Sequence, residues 1–281
     1  MLLISTRKRR RKSRLTGSEK LKETFSKGRV ALVPYLTAGY PTLEGAYEVG
    51  EAYVEAGADV VEIGIPFSDS LADGPVVQNT NTLALENGAN LGYCLQLASH
   101  FADRVPVVLS TSYNIVFARG AETFLNEVVW AGVAGLVIPD LPIDEAEDFR
   151  EAAVKREVAI CPLAAPTTTN ARLDRIAEAA SGFLYCVSVA GVTGVREKLP
   201  PGAIELLRRA RARVSVPVVL GFGISSAEAA VEAAEGADGI IIGSKLMQLV
   251  AEEGPEGAAR WLREVRWALD RESSARVGSK N

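Results

Sequence analysis

VEAGADVVEIGIPFSDSLADGP, residues 54–75, is the stretch that decides the fold. A helix-like segment ends at Gly57, a run of β-branched residues follows, and the chain then enters a loop rich in Ser, Asp and Gly. Glycine permits the backbone conformation that ends a helix, and β-branched residues favour a strand. The stretch therefore predicts one helix–strand–loop junction of an α/β protein.

The same unit recurs along the chain. We predict eight strands, near residues 30–36, 58–64, 105–110, 134–140, 158–164, 182–188, 216–222 and 237–243. Between them apolar residues recur at spacings of three and four, as a helix packed on a sheet requires. Eight consecutive units predict a closed (β/α)8 TIM barrel. An open doubly wound sheet is the alternative that the sequence leaves open.

One domain is expected to account for most of the chain, because 281 residues that are 48% hydrophobic can form one large core. We predict a basic, disordered extension over 1–17, the barrel over 18–270 and a flexible tail over 271–281. Residues 1–14 carry seven basic residues and no acid, although the formal net charge is −4. The acidic remainder disfavours broad nucleic-acid binding, which stays the alternative for the extension alone.

Few residues suit metal or nucleophile chemistry, and no metal site is predicted. Cys94, Cys161 and Cys186 lie far apart without a CxxC pair, which argues against a disulfide framework and favours a reducing cytoplasm. The single histidine, His100, ends a helical stretch and is expected to be structural. The sequence contains no run of about 18 uncharged apolar residues, so no membrane crossing is predicted.

The strand spacing is widest after the second and sixth strands, and in a barrel such loops line the active-site mouth. Glu62 shares a strand face with Val60, so it points into the lumen if Val60 does. Burial should raise the pKa of Glu62 toward the range useful for proton transfer. Asp73, in the following loop, completes the predicted catalytic pair. The alternatives are an ion-pair role for Glu62 and a helix-capping role for Asp69 or Asp73, and Asp69 is also the competing carboxylate.

Glycine-rich turns follow the last three strands, at GVTG (191–194), GFGIS (221–225) and GS (243–244). Glycine lets backbone N–H groups approach an anion closely. The segment after Gly243 predicts a short helix whose N-terminus faces the mouth, and barrels often bind phosphate there. The turns together predict a phosphate site, to which Lys245 adds charge unless it is simply solvated.

The motifs EIGIPFSDSLADGP, SVAGVTG, LGFGISS, IGS and VPYLTAGYP resemble the tryptophan synthase α subunit family, from about Ser18 to the C-terminal helix. That family is a barrel that cleaves indole-3-glycerol phosphate to indole and glyceraldehyde 3-phosphate. The resemblance implies that Glu62 protonates indole C3 and helps to remove the glycerol hydroxyl proton. It implies that Asp73 stabilises the charge that develops at the indole N–H.

The resemblance also implies a set of substrate-binding positions, which are Tyr35, Tyr185, Thr193, Gly194, Phe222, Gly223, Gly243 and Ser244. It implies an αββα heterotetramer with a β subunit that carries pyridoxal phosphate, and no cofactor in this chain. Ser70 and Asn114 are the expected partner contacts. Ser70 stands where the family usually has Pro, and Ser112 where tyrosine is common.

Two other functions compete with this reading. One is a sugar-phosphate isomerase or epimerase built on a phosphate-binding barrel, which would need metal ligands or a different acid–base pair. The other is a non-catalytic subunit that only regulates a partner enzyme. The Glu62 and Asp73 motif argues against both.

Overall fold

The β-branched runs of the sequence form parallel strands. The structure is a computed structural model, and it describes residues 15–70, 73–187, 199–221 and 223–278. The strands are β1 (Ala31–Thr37), β2 (Val61–Gly64), β3 (Val107–Ser110), β4 (Gly135–Val137), β5 (Ala159–Ile160), β6 (Leu163–Ala164), β7 (Leu184–Val187), β8 (Val218–Gly221) and β9 (Gly239–Ile242). They form one sheet in the order β5-β4-β3-β2-β1-β9-β8-β7-β6. Every pairing is parallel, as connections through helices require.

The two ends of this order, β5 and β6, belong to the single strand that the sequence predicts over 158–164. Cys161 donates its N–H to the Leu136 carbonyl at 2.9 Å, and the Pro162 carbonyl accepts from Tyr185 at 2.9 Å. The strand therefore bonds to both neighbours, and it divides because Pro162 has no N–H for the ladder. The predicted eight-stranded closed barrel is confirmed, with its fifth strand interrupted.

Helices surround the sheet. They are α1 (Gly17–Phe25), α2 (Leu43–Glu55), α3 (Pro75–Glu86), α4 (Leu91–Phe101), α5 (Tyr113–Arg119), α6 (Ala121–Trp130), α7 (Glu147–Val154), α8 (Asn170–Ala179), α9 (Pro201–Arg211), α10 (Ala227–Ala234) and α11 (Ser244–Gly278). A 3₁₀ turn, Ile143–Glu145, precedes α7. Across the described ranges, no helix combines the length and apolar composition that crossing a membrane requires.

Helical structure reaches beyond both borders expected for the barrel. The first helix begins at Gly17, inside the expected extension, and α11 continues to Gly278, inside the expected tail. Residues 1–14, which hold the basic run, lie outside the described residues. Within α11 the chain bends at Gly254, whose φ is 73°, and Pro255 follows. The part before the bend is the short helix predicted after Gly243.

The core has two layers. The larger layer lies between the strands and the surrounding helices, and the smaller fills the barrel lumen. Val60 belongs to the lumen layer, as the face assignment of β2 requires. Helix α1 closes the lumen from below, because Leu21 lies in this layer and the Phe25 ring packs 5.8 Å from that of Phe183. A Cβ at Gly239 would lie 2.6 Å from Phe25, so glycine is needed there.

A buried ion cluster ties α11 to the first two strands. Asp59, 2% exposed, accepts from Arg29 at 2.7 Å and from Arg266 at 3.1 Å. Asp59 also accepts from the Leu32 N–H and lies 3.8 Å from Lys27 Nζ, and Arg266 also donates to the Val30 carbonyl. A buried guanidinium needs a counter-ion, so Asp59 holds the last helix against the sheet.

We expect Asp59→Asn to lower the free energy of unfolding by about 3 kcal/mol, because Arg266 would lose its buried counter-ion. The control is Asp270→Asn, which removes the other carboxylate on Arg266 but one that is 44% exposed. Its cost should stay below about 1 kcal/mol. Urea denaturation followed by circular dichroism measures both, and equal losses would contradict this role of Asp59.

Candidate active site

Glu62 lies on β2 with its side chain directed into the barrel, and only 3% of the residue is exposed. It is in register with Tyr35 of β1 and Val108 of β3. The pKa of Glu62 is raised to about 8, mainly by burial and also by the charge of Asp73, while a hydrogen bond with Ser110 acts in the opposite direction. The predicted rise in pKa is confirmed, and the carboxyl is protonated at neutral pH.

Glu62 is not a structural ion-pair partner within the part of the chain that the structure describes. Its Oε2 is buried without a hydrogen-bond partner there. An unpaired buried carboxyl costs stability unless it has a chemical task. The ion-pair alternative for Glu62 is therefore not supported by the described residues.

Asp73 lies just before α3. Its carboxylate accepts from Asn81 Nδ2 at 3.2 Å, and its carbonyl accepts from Gln78 Nε2 at 3.0 Å. Burial raises the pKa of Asp73, and hydrogen bonds with Asn81 and then Ser70 lower it. The capping alternative is wrong, because the N-cap of α3 is Gly74 and no side chain caps it. The competing carboxylate, Asp69, is exposed.

Two tyrosines face the carboxylates. Tyr185 of β7 is 6% exposed in the lumen layer, and the Tyr35 hydroxyl lies 3.3 Å from Thr37 Oγ1. Burial raises the pKa of both phenols, and the charges of Asp73 and Glu62 add to the effect. Both phenols are therefore neutral. The mutual electrostatic effects show that the fold brings these four predicted side chains into one site.

The room for the tyrosines comes from two glycines that lie within the quoted motifs, although the motifs did not predict this role for them. A Cβ at Gly64 would lie 2.1 Å from the Tyr35 hydroxyl, and one at Gly221 would lie 2.4 Å from the Tyr185 hydroxyl. Both glycines end strands, at β2 and β8. A glycine at the carboxyl end of a barrel strand is the signal that could have located them.

The expected phosphate rim is described in part. Gly223 has a φ of 83°, a conformation that favours glycine, and Ser244 begins α11. The Gly243 carbonyl accepts the Met247 N–H at 3.0 Å, so the helix starts there and leaves its first N–H groups without helical partners. A Cβ at Gly243 would lie 3.6 Å from Tyr35, so the rim adjoins the site. Thr193, Gly194 and Phe222 lie outside the described residues.

The expected partner contacts follow two adjacent strands, β2 and β3. Ser70 is partly buried in the loop after β2, and Asn114 is exposed in the first turn of α5. Ser112 is the N-cap of α5 and donates to Asp140 Oδ2 at 2.6 Å. The serine that replaces the expected tyrosine thus has a local structural role.

The remaining reactive side chains are structural. His100, on α4, lies 2.5 Å from Glu51 Oε1, and Arg104 binds the same carboxylate. Burial raises the pKa of each of the three thiols to about 12, which suppresses thiolate formation; they belong to Cys94, Cys161 and Cys186. The contact of His100 with Glu51 agrees with the structural role predicted for it.

A closed parallel barrel with a buried carboxyl at the carboxyl ends of its strands is the architecture of a TIM-barrel enzyme. The comparison with known families is specific. The family model "Tryptophan synthase alpha chain" matches residues 21–272, and the chain belongs to this family.

Relatives cover nearly the whole chain. The alpha chain of Synechococcus elongatus is 43% identical over 250 residues, which are 88% of this chain and 94% of the relative. That of Xanthomonas oryzae pv. oryzae is 42% identical over 257 residues, 88% of this chain and 96% of the relative. A tryptophan synthase structure from Mycobacterium tuberculosis superposes with a TM-score of 0.85 at 32% identity, over 89% of this chain and 98% of that one. The structure of the alpha subunit of Legionella pneumophila str. Paris superposes with a TM-score of 0.83 at 29% identity, over 92% of this chain and 100% of that one.

We expect Glu62→Gln to stabilise the protein at neutral and alkaline pH. The folded-state pKa of about 8 lies above the ordinary value of 4.5, so the unfolded chain releases the proton first as pH rises. Wild-type stability therefore falls between about pH 4.5 and about pH 8, and the amide removes this loss.

Urea denaturation across that pH range measures the difference in the free energy of unfolding between the variant and the wild type. It should be close to zero at the acidic end and largest near pH 8. The control Glu86→Gln changes an exposed side chain at the end of α3 and should show no such trend. A pH-independent difference for Glu62→Gln would contradict the buried, protonated carboxyl.

Proposed function

We propose that Glu62 and Asp73 carry out the retro-aldol cleavage of indole-3-glycerol phosphate, the α reaction of tryptophan synthase in tryptophan biosynthesis. The observation that carries the assignment is the buried Glu62 carboxyl, whose pKa of about 8 leaves it protonated beside a second carboxylate. The reaction breaks the bond between indole C3 and the first carbon of the glycerol chain. Its products are indole and glyceraldehyde 3-phosphate.

The first step is protonation of indole C3. A carboxyl with a raised pKa can donate this proton at neutral pH, and Glu62 is the donor. The ring then carries a positive charge at its nitrogen. The Asp73 carboxylate stabilises this charge by accepting a hydrogen bond from the N–H. A carboxylate in a partly buried site is more effective than one in water.

The second step breaks the carbon–carbon bond. Glu62, now ionised, takes the proton from the hydroxyl on the carbon next to C3. That carbon becomes the aldehyde, and the bonding electrons return to the ring, which leaves as neutral indole. The proton lost by Glu62 in the first step is regained in the second, so both groups end as they began.

The two functions weighed against this one are not favoured. Family membership covers residues 21–272, which is most of the barrel, and a sugar-phosphate isomerase would need another acid–base pair. A purely regulatory subunit would have no use for a buried carboxyl with a raised pKa.

We expect Glu62→Gln to abolish indole release, since no other described acid occupies the lumen position. Asp73→Asn should lower kcat by about 100-fold or more, because an amide cannot balance the charge at the ring nitrogen. Asp69→Asn is the matched control, since Asp69 lies in the same loop but is exposed. Indole release from indole-3-glycerol phosphate is the assay, and greater damage from Asp69→Asn would reverse the assignment of the loop carboxylates.

The phosphate of the substrate is proposed to bind at the rim formed by Gly194, Gly223, Gly243 and Ser244. The free N–H groups at the start of α11 and the helix dipole suit an anion. Binding energy from the phosphate, remote from the reacting bond, would orient the indole between Tyr35 and Tyr185.

We expect Gly243→Ala to raise KM about 10-fold with little change in kcat, because one methyl group would obstruct the approach of the anion. The new Cβ would meet Tyr35 at 3.6 Å, an ordinary contact, so the fold should be preserved. Gly202→Ala on α9 is the control, with its nearest contact at 3.4 Å. Steady-state kinetics measure both, and an unchanged KM in Gly243→Ala would remove the rim from the substrate site.

We further propose that the mouth docks on a tryptophan synthase β subunit in an αββα heterotetramer, with Ser70 and Asn114 at the contact. Phe117 on α5 is 78% exposed, and exposed aromatic side chains are typical of partner surfaces. Pyridoxal phosphate would belong to that partner and not to this chain. The cytoplasmic location favoured by the unpaired cysteines also stays a prediction.

Docking should raise kcat, and the factor should be about 10-fold larger than the factor by which KM changes. The reason is that docking would order the loop that carries Asp73. Indole release at saturating substrate, with and without the β subunit, measures this. Phe117→Ser should reduce the activation and leave the lone chain unchanged. An unchanged kcat in a complex shown to form would contradict activation through these loops.

A further inference from the structure

Three side chains converge where the loop after β2 meets α3. Asn81, 4% exposed, directs its Nδ2 to Asp73 Oδ2 at 3.2 Å and to Ser70 Oγ at 3.1 Å. The two hydrogens of one amide nitrogen can serve these two acceptors. Asn81 therefore joins Ser70 to Asp73 through a single group.

Ser70 contributes through its backbone and its side chain. Its carbonyl accepts from the Asp73 N–H at 3.0 Å and from Gln78 Nε2 at 3.3 Å. Its hydroxyl oxygen accepts from Asn81, so the hydroxyl hydrogen is available for Asp73, with which Ser70 also forms a side-chain hydrogen bond. Asp73 is thus bonded by two polar neighbours, from its own loop and from α3.

The amide of Asn81 has one orientation that fits these contacts. If the amide were reversed, its oxygen would face the Asp73 carboxylate, and acceptor would meet acceptor. The Oδ1 atom is buried without a hydrogen-bond partner among the described residues. An unpaired buried oxygen is unfavourable, so the position of Asn81 is explained by what its nitrogen donates to.

We propose that Ser70 and Asn81 are positioning residues that keep the Asp73 carboxylate ionised and directed into the barrel mouth. The inference rests on the proposed function of Asp73. The family resemblance leads one to expect Pro at position 70, and Pro has no hydroxyl. This chain would therefore supply a donor to its second carboxylate that most relatives of that pattern lack.

The surroundings of Asp73 make these donors important. Glu62 from β2, Tyr35 from β1 and Tyr185 from β7 all interact with its charge. Glu62 and both phenols are neutral when the site is ready for substrate, and none of them compensates a negative charge. Burial raises the pKa of Asp73, and the interactions that oppose burial come from Asn81 and Ser70.

The test compares Ser70→Ala and Ser70→Thr, because Thr keeps the hydroxyl. Asn81→Leu removes both donor hydrogens at similar side-chain size. Thr82→Ala, an exposed neighbour on α3, is the control. The pKa of Asp73 is read in the free protein by carbon-13 NMR of the aspartate carboxyls, with its signal assigned by its loss in Asp73→Asn.

We expect the pKa of Asp73 to rise in Ser70→Ala and Asn81→Leu and to stay at the wild-type value in Ser70→Thr and Thr82→Ala. In the indole assay, kcat should fall about 10-fold in the first two, with KM nearly unchanged. The acidic limb of the kcat profile should move to higher pH. Rescue by Ser70→Thr separates this role from a general packing effect.

An unchanged pKa of Asp73 in folded Ser70→Ala would overturn the proposal. If Asn81→Leu fails to fold, as judged by circular dichroism, the Ser70 pair decides alone. The NMR titration does not depend on activity. Absence of indole release by the wild-type protein would contradict the proposed function, while the titration would still decide whether Ser70 and Asn81 keep Asp73 ionised.

Discussion

The active site depends on one constraint, the burial of the Glu62 carboxyl at the top of an apolar lumen. Glu62 forms no ion pair with the residues that the structure describes, and one of its oxygens has no hydrogen bond. The carboxyl avoids the cost of a buried charge by staying protonated, which makes it a proton donor at neutral pH. The lumen must remain dry for this to hold. The reactivity of one side chain is therefore linked to the closure of the whole barrel.

The opposite end of the barrel provides that closure. Helix α1 fills the lumen from below with Leu21, and the Asp59 and Arg266 pair joins the last helix to the first strands. In TIM barrels the lower face generally serves stability and the upper face serves catalysis. The same division holds here, because the buried ion pair of Asp59 and Arg266 lies at the bottom and the Glu62 carboxyl, which has no ion pair among the described residues, lies above.

The proposed function gives Glu62 and Asp73 different tasks, and their surroundings differ accordingly. Glu62 lies on a rigid strand, and burial is the main influence on its pKa. Asp73 lies in a loop, where hydrogen bonds with Asn81 and Ser70 oppose the effect of burial. A proton donor and a carboxylate that stabilises a cation need different pKa values, and different surroundings can provide them. Tyr35 and Tyr185 shape the space between them without adding charge.

The sequence by itself determined the order of strands and helices, the barrel class and the inward face of Val60 and Glu62, and it singled out Glu62 and Asp73 as the candidate pair. These features are encoded locally, in periodicity and in motifs of neighbouring residues. Only the tertiary structure decided that Pro162 divides the fifth strand, that α1 closes the lumen, and that Asn81 binds Asp73. It also decided how Tyr35 and Tyr185, 150 positions apart in the numbering, meet at one site. Such contacts and the depth of burial that sets each pKa arise only when the sheet closes, and no local pattern records them.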